Sequence, residues 1–311
     1  MTKYLLLKNI YIEGATAFSG ITYGAISMPA YAGFVHNLAR HVSAKTDAKL
    51  GSFTVFTHSC TPQVTKRDGE SEKRFKLTSN PPTGNKPTPP SFNEAGRLFA
   101  RVSVLIELTG VDKGNREQEE ALRKVADRFM GRARIAGGTV FSVEDIFIPD
   151  GSDNEIASSL MPASVLVENR EYLIEHLDEM RASNANATTL DALIDIYAVH
   201  LEAENAGNNS YKWTAVKNKG RGYLVPIVTG YKAISDIYSC GELEGSKDPS
   251  TDSVFVEYVH TLGQWIRANH IESLDDVMWR TDAKDGWYLV TNEAKTDNEF
   301  EDIELDKEIK F

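Results

Sequence analysis

The amino-acid sequence predicts an α+β fold, and three observations carry that expectation. The first 150 residues or so read as strand, helix, strand, insertion, strand, helix, strand. That order is close to the βαββαβ arrangement of ferredoxin-like domains and unlike the strict alternation of a doubly wound parallel sheet. Apolar spacing switches between a strand-like period of two and a helix-like 3.6 along these segments. Between them, residues 61–93 change character: KRDGESEKRFK is densely charged, and NPPTGNKPTPPSF holds five of the eleven prolines. A stretch of that composition is a loop or an extended insertion and not core.

The elements follow in order. YLLLKNIYIEG reads as the first strand, around Leu6, Ile10 and Ile12. After the Gly- and Ser-rich GATAFSGITYGAISMP, the segment PAYAGFVHNLARHV reads as a helix. Pro29 suits its first turn, and Tyr31, Phe34, Val35, Leu38 and Val42 form one stripe. GSFTVFTHSC reads as a strand, and RLFARVSVLIEL (97–108) as another, rich in β-branched and large apolar residues. EQEEALRKVADRFM (117–130) reads as a helix with acids at its start and a stripe of Ala121, Val125 and Phe129. GRARIAGG then leads into the strand TVFSVEDIFIPD.

These elements assign residues 1–165 to a ferredoxin-like core interrupted by the Pro-rich insertion at about 61–93. Residues 166–311 form a C-terminal half of added helices and strands packed on that core, ending in an acidic tail from about 293. Within it, a helix is expected from Asn169, and TTLDALIDIYAVHLEAEN reads as a second, with Thr188 or Thr189 as cap and Leu190, Leu193, Ile194, Tyr197 and Leu201 on one face. VFVEYVHTLGQWIRA reads as an amphipathic helix with Phe255, Tyr258, Val259, Leu262 and Ile266 on one stripe, and SLDDVMW as a short helix capped by Ser273.

Composition narrows the function classes. With 41% hydrophobic and 25% charged residues, the chain has the make-up of a globular protein with a substantial core. No apolar run reaches the ~18 residues of a membrane span. MTKYLLLKNIYIEG lacks a small-residue cleavage site and Lys8 interrupts it, so no signal peptide is expected. Two lone cysteines, Cys60 and Cys240, fit a reducing cytoplasm, and neither cysteines nor histidines fall at zinc-ligand spacing. No metal and no cofactor are expected.

The net charge of −11 argues against a uniformly basic nucleic-acid binder, but the charge is unevenly placed. Residues 293–311 hold eight acids against three lysines, whereas residues 212–221, KWTAVKNKGR, hold four bases and no acid.

The chain lacks G-x-x-x-x-G-K-S/T, G-x-G-x-x-G, H-E-x-x-H and G-x-S-x-G. Asp191 and Asp195 lie four apart, yet the surrounding amphipathic pattern makes them a solvated helix face. His36 and Arg40 also lie four apart on a helix; a general base beside a cation and an exposed helix histidine are the two readings.

Three alternating basic stretches point instead to anion binding. In GRARIAGG, Arg132 and Arg134 fall on one side of a strand, and Gly137 and Gly138 permit close backbone approach with N–H groups free to face phosphate. In KNKGRGY, Lys217, Lys219 and Arg221 alternate with glycines ahead of Tyr223, whose ring can stack on a base. In RLFAR, Arg97 and Arg101 share a strand face. Three such stretches in one acidic chain predict a groove for single-stranded nucleic acid.

Several phrases, in one order along nearly the whole chain, resemble a known family: FSGITYGAISMPAYAGFVHNLAR, GRARIAGGTV, SLMPASVLV, RGYLVPIVTGYKAIS, VEYVHTLGQWI and SLDDVMW. They are similar to the Csy-two family, the Cas-five-type subunit of the type I-F CRISPR surveillance complex. The resemblance implies a non-catalytic, cytoplasmic RNA-binding protein with an RRM-related, RAMP-type ferredoxin-like core. It implies that the chain holds the 5′ handle of the CRISPR RNA, pairs with the large subunit, adjoins the backbone subunits and meets target DNA through the complex, with no membrane partner. It makes Arg132, Arg134, Gly137 and Gly138 the first candidates for RNA contact, and Lys217, Lys219, Arg221 and Tyr223 the second group. Arg97, Arg101, His36 and Arg40 complete the candidate set, and the insertion becomes a thumb-like element. The competing class is a metal-independent CRISPR RNA-processing endoribonuclease with His36 as base.

Overall fold

The computed structural model describes residues 3–66, 68–69, 71–78, 92–94, 96–112, 114–207, 210–216, 222–246 and 248–292. The first half runs β1 (Lys3–Thr16), α1 (Met28–Ser43), β2 (Lys49–Pro62), β3 (Arg97–Thr109), α2 (Arg116–Met130), β4 (Arg134–Ile135), β5 (Gly138–Ser142), β6 (Asp145–Phe147) and α3 (Asp153–Ser159). The second runs β7 (Ser164–Glu168), α4 (Arg170–Ser183), α5 (Thr189–Tyr197), β8 (His200–Gly207), β9 (Ser210–Val216), β10 (Tyr223–Ala233), β11 (Val256–Arg267), β12 (Arg280–Lys284) and β13 (Trp287–Thr291). The fold is mixed α/β, and the expected strand–helix–strand–strand–helix–strand order of the first half is present. In the charged, Pro-rich stretch, Val64–Thr65 pairs with Arg74–Phe75 and Leu77–Thr78 with Asn93–Glu94. Residues 79–91 and the acidic tail from 293 lie outside the described residues.

Eleven strands form one antiparallel sheet in the order β4-β5-β1-β3-β2-β7-β11-β10-β13-β12, with β6 also on β1. The sheet curls back on itself. Trp279, just before β12, exchanges backbone hydrogen bonds with Phe53 of β2, at 3.0 and 2.6 Å. Its buried indole N–H also donates to the Leu166 carbonyl at 3.0 Å.

Strand alternation divides the interior. Leu5, Leu7, Ile10 and Ile12 of β1 pack with Tyr31, Phe34, Val35, Leu38 and Val42 of α1, all of them buried as the helical stripe predicts. Tyr4 and Leu6 point the other way, into a second core with Leu105, Ile156 and Leu160. A third, smaller core holds Leu173, Leu177, Leu193 and Ile196 against Leu262. One face of the first sheet segment is therefore covered by α1 and α2. The opposite face is covered by α3 near Leu6 and, among the described residues, is open near Tyr11.

Four expectations are corrected. Residues 256–267 are the strand β11 and not a helix: both edges are hydrogen-bonded, to β7 and β10, and its Val, Ile, Thr, Tyr and Trp content suits a paired strand. The helix expected over TTLDALIDIYAVHLEAEN stops at Tyr197. Leu201 lies in β8, and Ala192, Leu193 and Ile196 face inward while Leu190 and Ile194 are exposed. In α2 the buried stripe is Leu122, Ala126, Phe129 and Met130, because the bulkier Leu122 and Met130 turn inward and Ala121 is left outside. SLDDVMW forms only a 3₁₀ turn at Asp275–Val277, whose cap position is Leu274 without a side-chain cap bond.

Candidate nucleic-acid interface

On β3, Leu98, Ala100 and Val102 are buried under the helices, so the intervening Arg97, Phe99 and Arg101 project from the open face. Arg101 stands opposite Tyr11 of β1. Two residues on, Glu13 pairs with Thr139, which pairs with Arg134. By alternation Tyr11, Glu13, Thr139 and Arg134 share the open face, since Ile12 and Ile135 between them are fully buried. The fold thus brings Arg97, Arg101 and Arg134 to one surface from two distant stretches of sequence.

That surface also carries an aromatic cluster. Tyr11 stacks on Phe99 with ring centroids 6.4 Å apart and planes 17° apart, and meets Phe141 edge-on at 6.0 Å. The Arg101 guanidinium lies over the Tyr11 ring, 5.4 Å from its centroid, and donates to the Asn9 side-chain oxygen at 3.2 Å. Phe141 is 69% exposed, so most of its ring faces outward beyond the edge contact with Tyr11. Arg97 donates to the Gly14 carbonyl at 3.2 Å, which fixes it at the edge of the cluster. The arrangement pairs π-faces with guanidinium groups on a sheet, a geometry suited to unpaired bases and their phosphates.

The glycines act differently from the sequence reading. Ala136 and Gly137 both have positive φ, 49° and 74°, as the two central residues of a type I′ hairpin turn require. Gly138 allows close approach, but to protein: a Cβ there would sit 2.6 Å from the Ala15 nitrogen. Thr16 N–H donates to the Ala136 carbonyl at 2.9 Å, so the hairpin is stitched to β1. Arg132 is exposed in the turn after α2, before the strand begins, and its backbone N–H is used by the Phe129 carbonyl.

His36 and Arg40 are not part of this surface. They lie on α1, which covers the other face, and the His36 ring is 3.1 Å from the Thr281 hydroxyl and edge-on to Tyr288. Tyr223 opens β10 opposite Trp265, beside a cavity of about 230 Å³ that is also lined by Ser19, Tyr23, Cys60 and Leu166. Burial there pushes the Cys60 thiol up to about 11, so it stays protonated. Lys217, Lys219 and Arg221 lie outside the described residues. Among the described residues, no group of three or more His, Cys, Asp or Glu is placed to hold a metal ion.

Sequence reasoning counted cations and passed over the rings. Phe99 sits between Arg97 and Arg101 in RLFAR, and an aromatic at the same strand period as two arginines was the available signal.

The family model described as CRISPR-associated protein (Cas_Csy2) matches residues 5–290. The chain belongs to the Csy2 family. Csy2 membership is supported as well by a curated relative, the CRISPR-associated protein Csy2 of Pseudomonas aeruginosa (strain UCBPP-PA14), which is 31% identical over 298 residues, covering 88% of this chain and 90% of the relative. The family places the chain among the subunits of a CRISPR Cascade complex. Every candidate residue from Tyr11 to Tyr223 falls inside the Csy2 match, and the acidic tail falls beyond it. Among the described residues of this Csy2 chain, no helix is long and apolar enough to cross a membrane.

Proposed function

We propose that this Csy2-family chain is a non-catalytic RNA-binding subunit of a type I-F CRISPR effector complex. It holds the 5′ handle of the CRISPR RNA and pairs with the large subunit for surveillance of target DNA. The observation that carries this reading is the open-face cluster of Arg101, Tyr11, Phe99 and Phe141, with Arg97 and Arg134 beside it. Phosphate contacts from the arginines set register, and ring stacking accepts bases without demanding a sequence. The same reading takes β1-α1-β2-β3-α2-β5, in the spatial order β5-β1-β3-β2, as a ferredoxin-like core of the RRM-related kind. Support for a non-catalytic role comes from His36, the base of the competing endoribonuclease reading, whose ring is engaged by Thr281 on the helical side of the sheet.

The test is reconstitution with the large subunit and labelled handle RNA. Retention that falls when Arg101→Glu and Phe141→Ala are introduced together is the expected result. Unchanged retention sinks the reading. Defined cleavage of repeat RNA without metal, lost on His36→Ala, replaces it with the endoribonuclease.

A further inference from the structure

The face of β3 that carries the arginines and rings also runs to the place where the acidic tail begins. Leu105, Ser103, Arg101, Phe99 and Arg97 alternate with the helix-covered Val104, Val102, Ala100 and Leu98, so all five share one face. At the covered end of that face, Leu105 lies in the second core together with Val277 of the Asp275–Val277 turn. Asn292, directly after β13, is held to this turn. Its side chain donates to the Asp276 carbonyl at 2.9 Å and accepts from the Glu168 N–H at 2.7 Å. Residues 293–311 therefore set out from the covered end of a face whose other end is open. Arg101 lies four residues from Leu105 along β3, about 13 Å at the rise of a strand. The nineteen residues after Asn292 reach at most about 65 Å, so the whole open end is within their range.

Charge matches this stretch to that surface. Residues 293–311 hold eight acids against three lysines. Within them, 299–306 read EFEDIELD, five acids interleaved with Phe300, Ile303 and Leu305. The open face presents the complementary groups: Arg97, Arg101 and Arg134, with Tyr11, Phe99 and Phe141 among them. Arg101 contacts a ring and an amide oxygen, and Arg97 a carbonyl. Glu13 lies on the same face, yet among the described residues none of the three arginines is in an ion pair. Attachment at Asn292 also raises the effective concentration of the acids at this face to the order of millimolar.

We infer that the acidic residues 293–311 occupy the Arg97, Arg101 and Arg134 face of the free chain and compete there with RNA. An RNA that makes several phosphate contacts at once displaces them, and a weaker anion does not. This rests on the functional reading above and adds regulation to that same site. The Csy2 match ends at residue 290, so the device belongs to this chain beyond the matched family pattern.

The experiment has two readouts on the full chain. The first needs no RNA. In Arg101→Lys and in Arg134→Lys, a carbodiimide joins the introduced amine to a touching carboxylate, and peptide mass spectrometry identifies it. Cross-links to acids of 293–311 are expected, at a yield that dilution leaves unchanged. Cross-links to Glu13 or other acids alone, or none in either variant, overturn the inference. A yield that falls on dilution gives the face to the tail of a second copy and overturns the intramolecular contact. The second readout is the Kd for labelled handle RNA after reconstitution with the large subunit. Glu299→Gln, Glu301→Gln, Asp302→Asn, Glu304→Gln and Asp306→Asn together are expected to tighten it about tenfold at about 50 mM salt and not at about 0.5 M. Unchanged affinity overturns the inference. So does equal tightening when Arg97, Arg101 and Arg134 are all changed to glutamine, because the acids then repel RNA from a distance without occupying the face. Tail cross-links in a chain whose RNA retention ignores Arg101→Glu and Phe141→Ala keep the contact and sink the functional reading instead.

Discussion

Arg101 and Tyr11 are direct cross-strand partners, and the Arg101 guanidinium lies 5.4 Å from the centroid of the Tyr11 ring. The pair turns a strand register into a recognition element: the ring orients the cation, and the cation leaves the outer faces of Phe99 and Phe141 for other planar groups. Phe141→Ala is expected to weaken single-stranded handle RNA binding by roughly 1–3 kcal/mol, the worth of one stacked base, while leaving the melting temperature unchanged because the ring is exposed. Fluorescence anisotropy of the assembled complex measures the first and calorimetry the second. A drop in stability without a drop in affinity would make Phe141 a packing residue.

Much of this surface was legible in the chain, and its limits have physical causes. The four-residue spacing of Arg97 and Arg101 survives into the structure because β3 is regular there and pairs on both edges. Arg134 joins them only through a hairpin whose register depends on the positive φ of Ala136 and Gly137, which cation spacing does not encode. The strand β11 reads as a helix because Tyr258, Leu262 and Ile266 happen to recur every four residues. What overrides that pattern is pairing with β7 and β10, contacts with residues far away in sequence. The helix α5 runs on into β8 on paper because both are apolar at compatible spacing. The break at Ala198, whose extended backbone ends the helix, carries no Gly or Pro.

Arg134→Glu and Asp191→Ala separate an open-face cation from a carboxylate that caps a helix. Arg134 lies on the open face, opposite Thr139. Asp191 closes a capping box on α5, accepting from the Thr188 hydroxyl at 2.7 Å and its backbone N–H at 2.9 Å, bonds that hold its carboxyl below the usual range. Arg134→Glu is expected to lower RNA retention and reduce the salt slope of binding by about one, the signature of a lost phosphate contact. Asp191→Ala is expected to lower the melting temperature slightly and leave retention intact. Equal retention in the two purified complexes would remove Arg134 from the interface.

The two glycines of the β4–β5 hairpin differ in what they tolerate. A Cβ on Gly137 meets only the tips of Arg97 and Thr16 at 3.8 Å, so Gly137→Ala carries just the strain of φ +74°, about 1–2 kcal/mol. A Cβ on Gly138 would sit 2.6 Å from the Ala15 nitrogen and 2.8 Å from the Glu13 carbonyl oxygen, with backbone on both sides and no side chain to give way. Gly138→Ala is therefore expected to destabilise more than Gly137→Ala, and Gly137→Val more than Gly137→Ala, since β-branching adds to the strain. Denaturant midpoints measure the order. A Gly138→Ala protein as stable as wild type would show that β5 can move away from β1.

His260 gives the chain a pH-dependent contact. Its Nε2 accepts from the Ile21 N–H at 3.2 Å, tying β11 to the turn between Phe18–Ser19 and Thr22–Tyr23. Burial lowers its pKa from 6.5, and a backbone hydrogen bond with Tyr258 only partly offsets this. The ring is edged by Tyr258 at 6.3 Å. The native state thus holds this proton less tightly than the unfolded chain, so the contribution of His260 is present above about pH 6.5 and is lost as pH falls through the depressed native pKa. Protonation also turns the acceptor nitrogen into a donor facing the Ile21 N–H, so the turn should loosen at the same pH. Unfolding midpoints followed from neutral pH downward are expected to fall less steeply in His260→Gln than in the wild type, because glutamine keeps an amide oxygen and does not titrate. Amide exchange at Ile21 is expected to accelerate over the same interval in the wild type alone. Parallel midpoint curves for the two proteins would show that the acid sensitivity arises elsewhere.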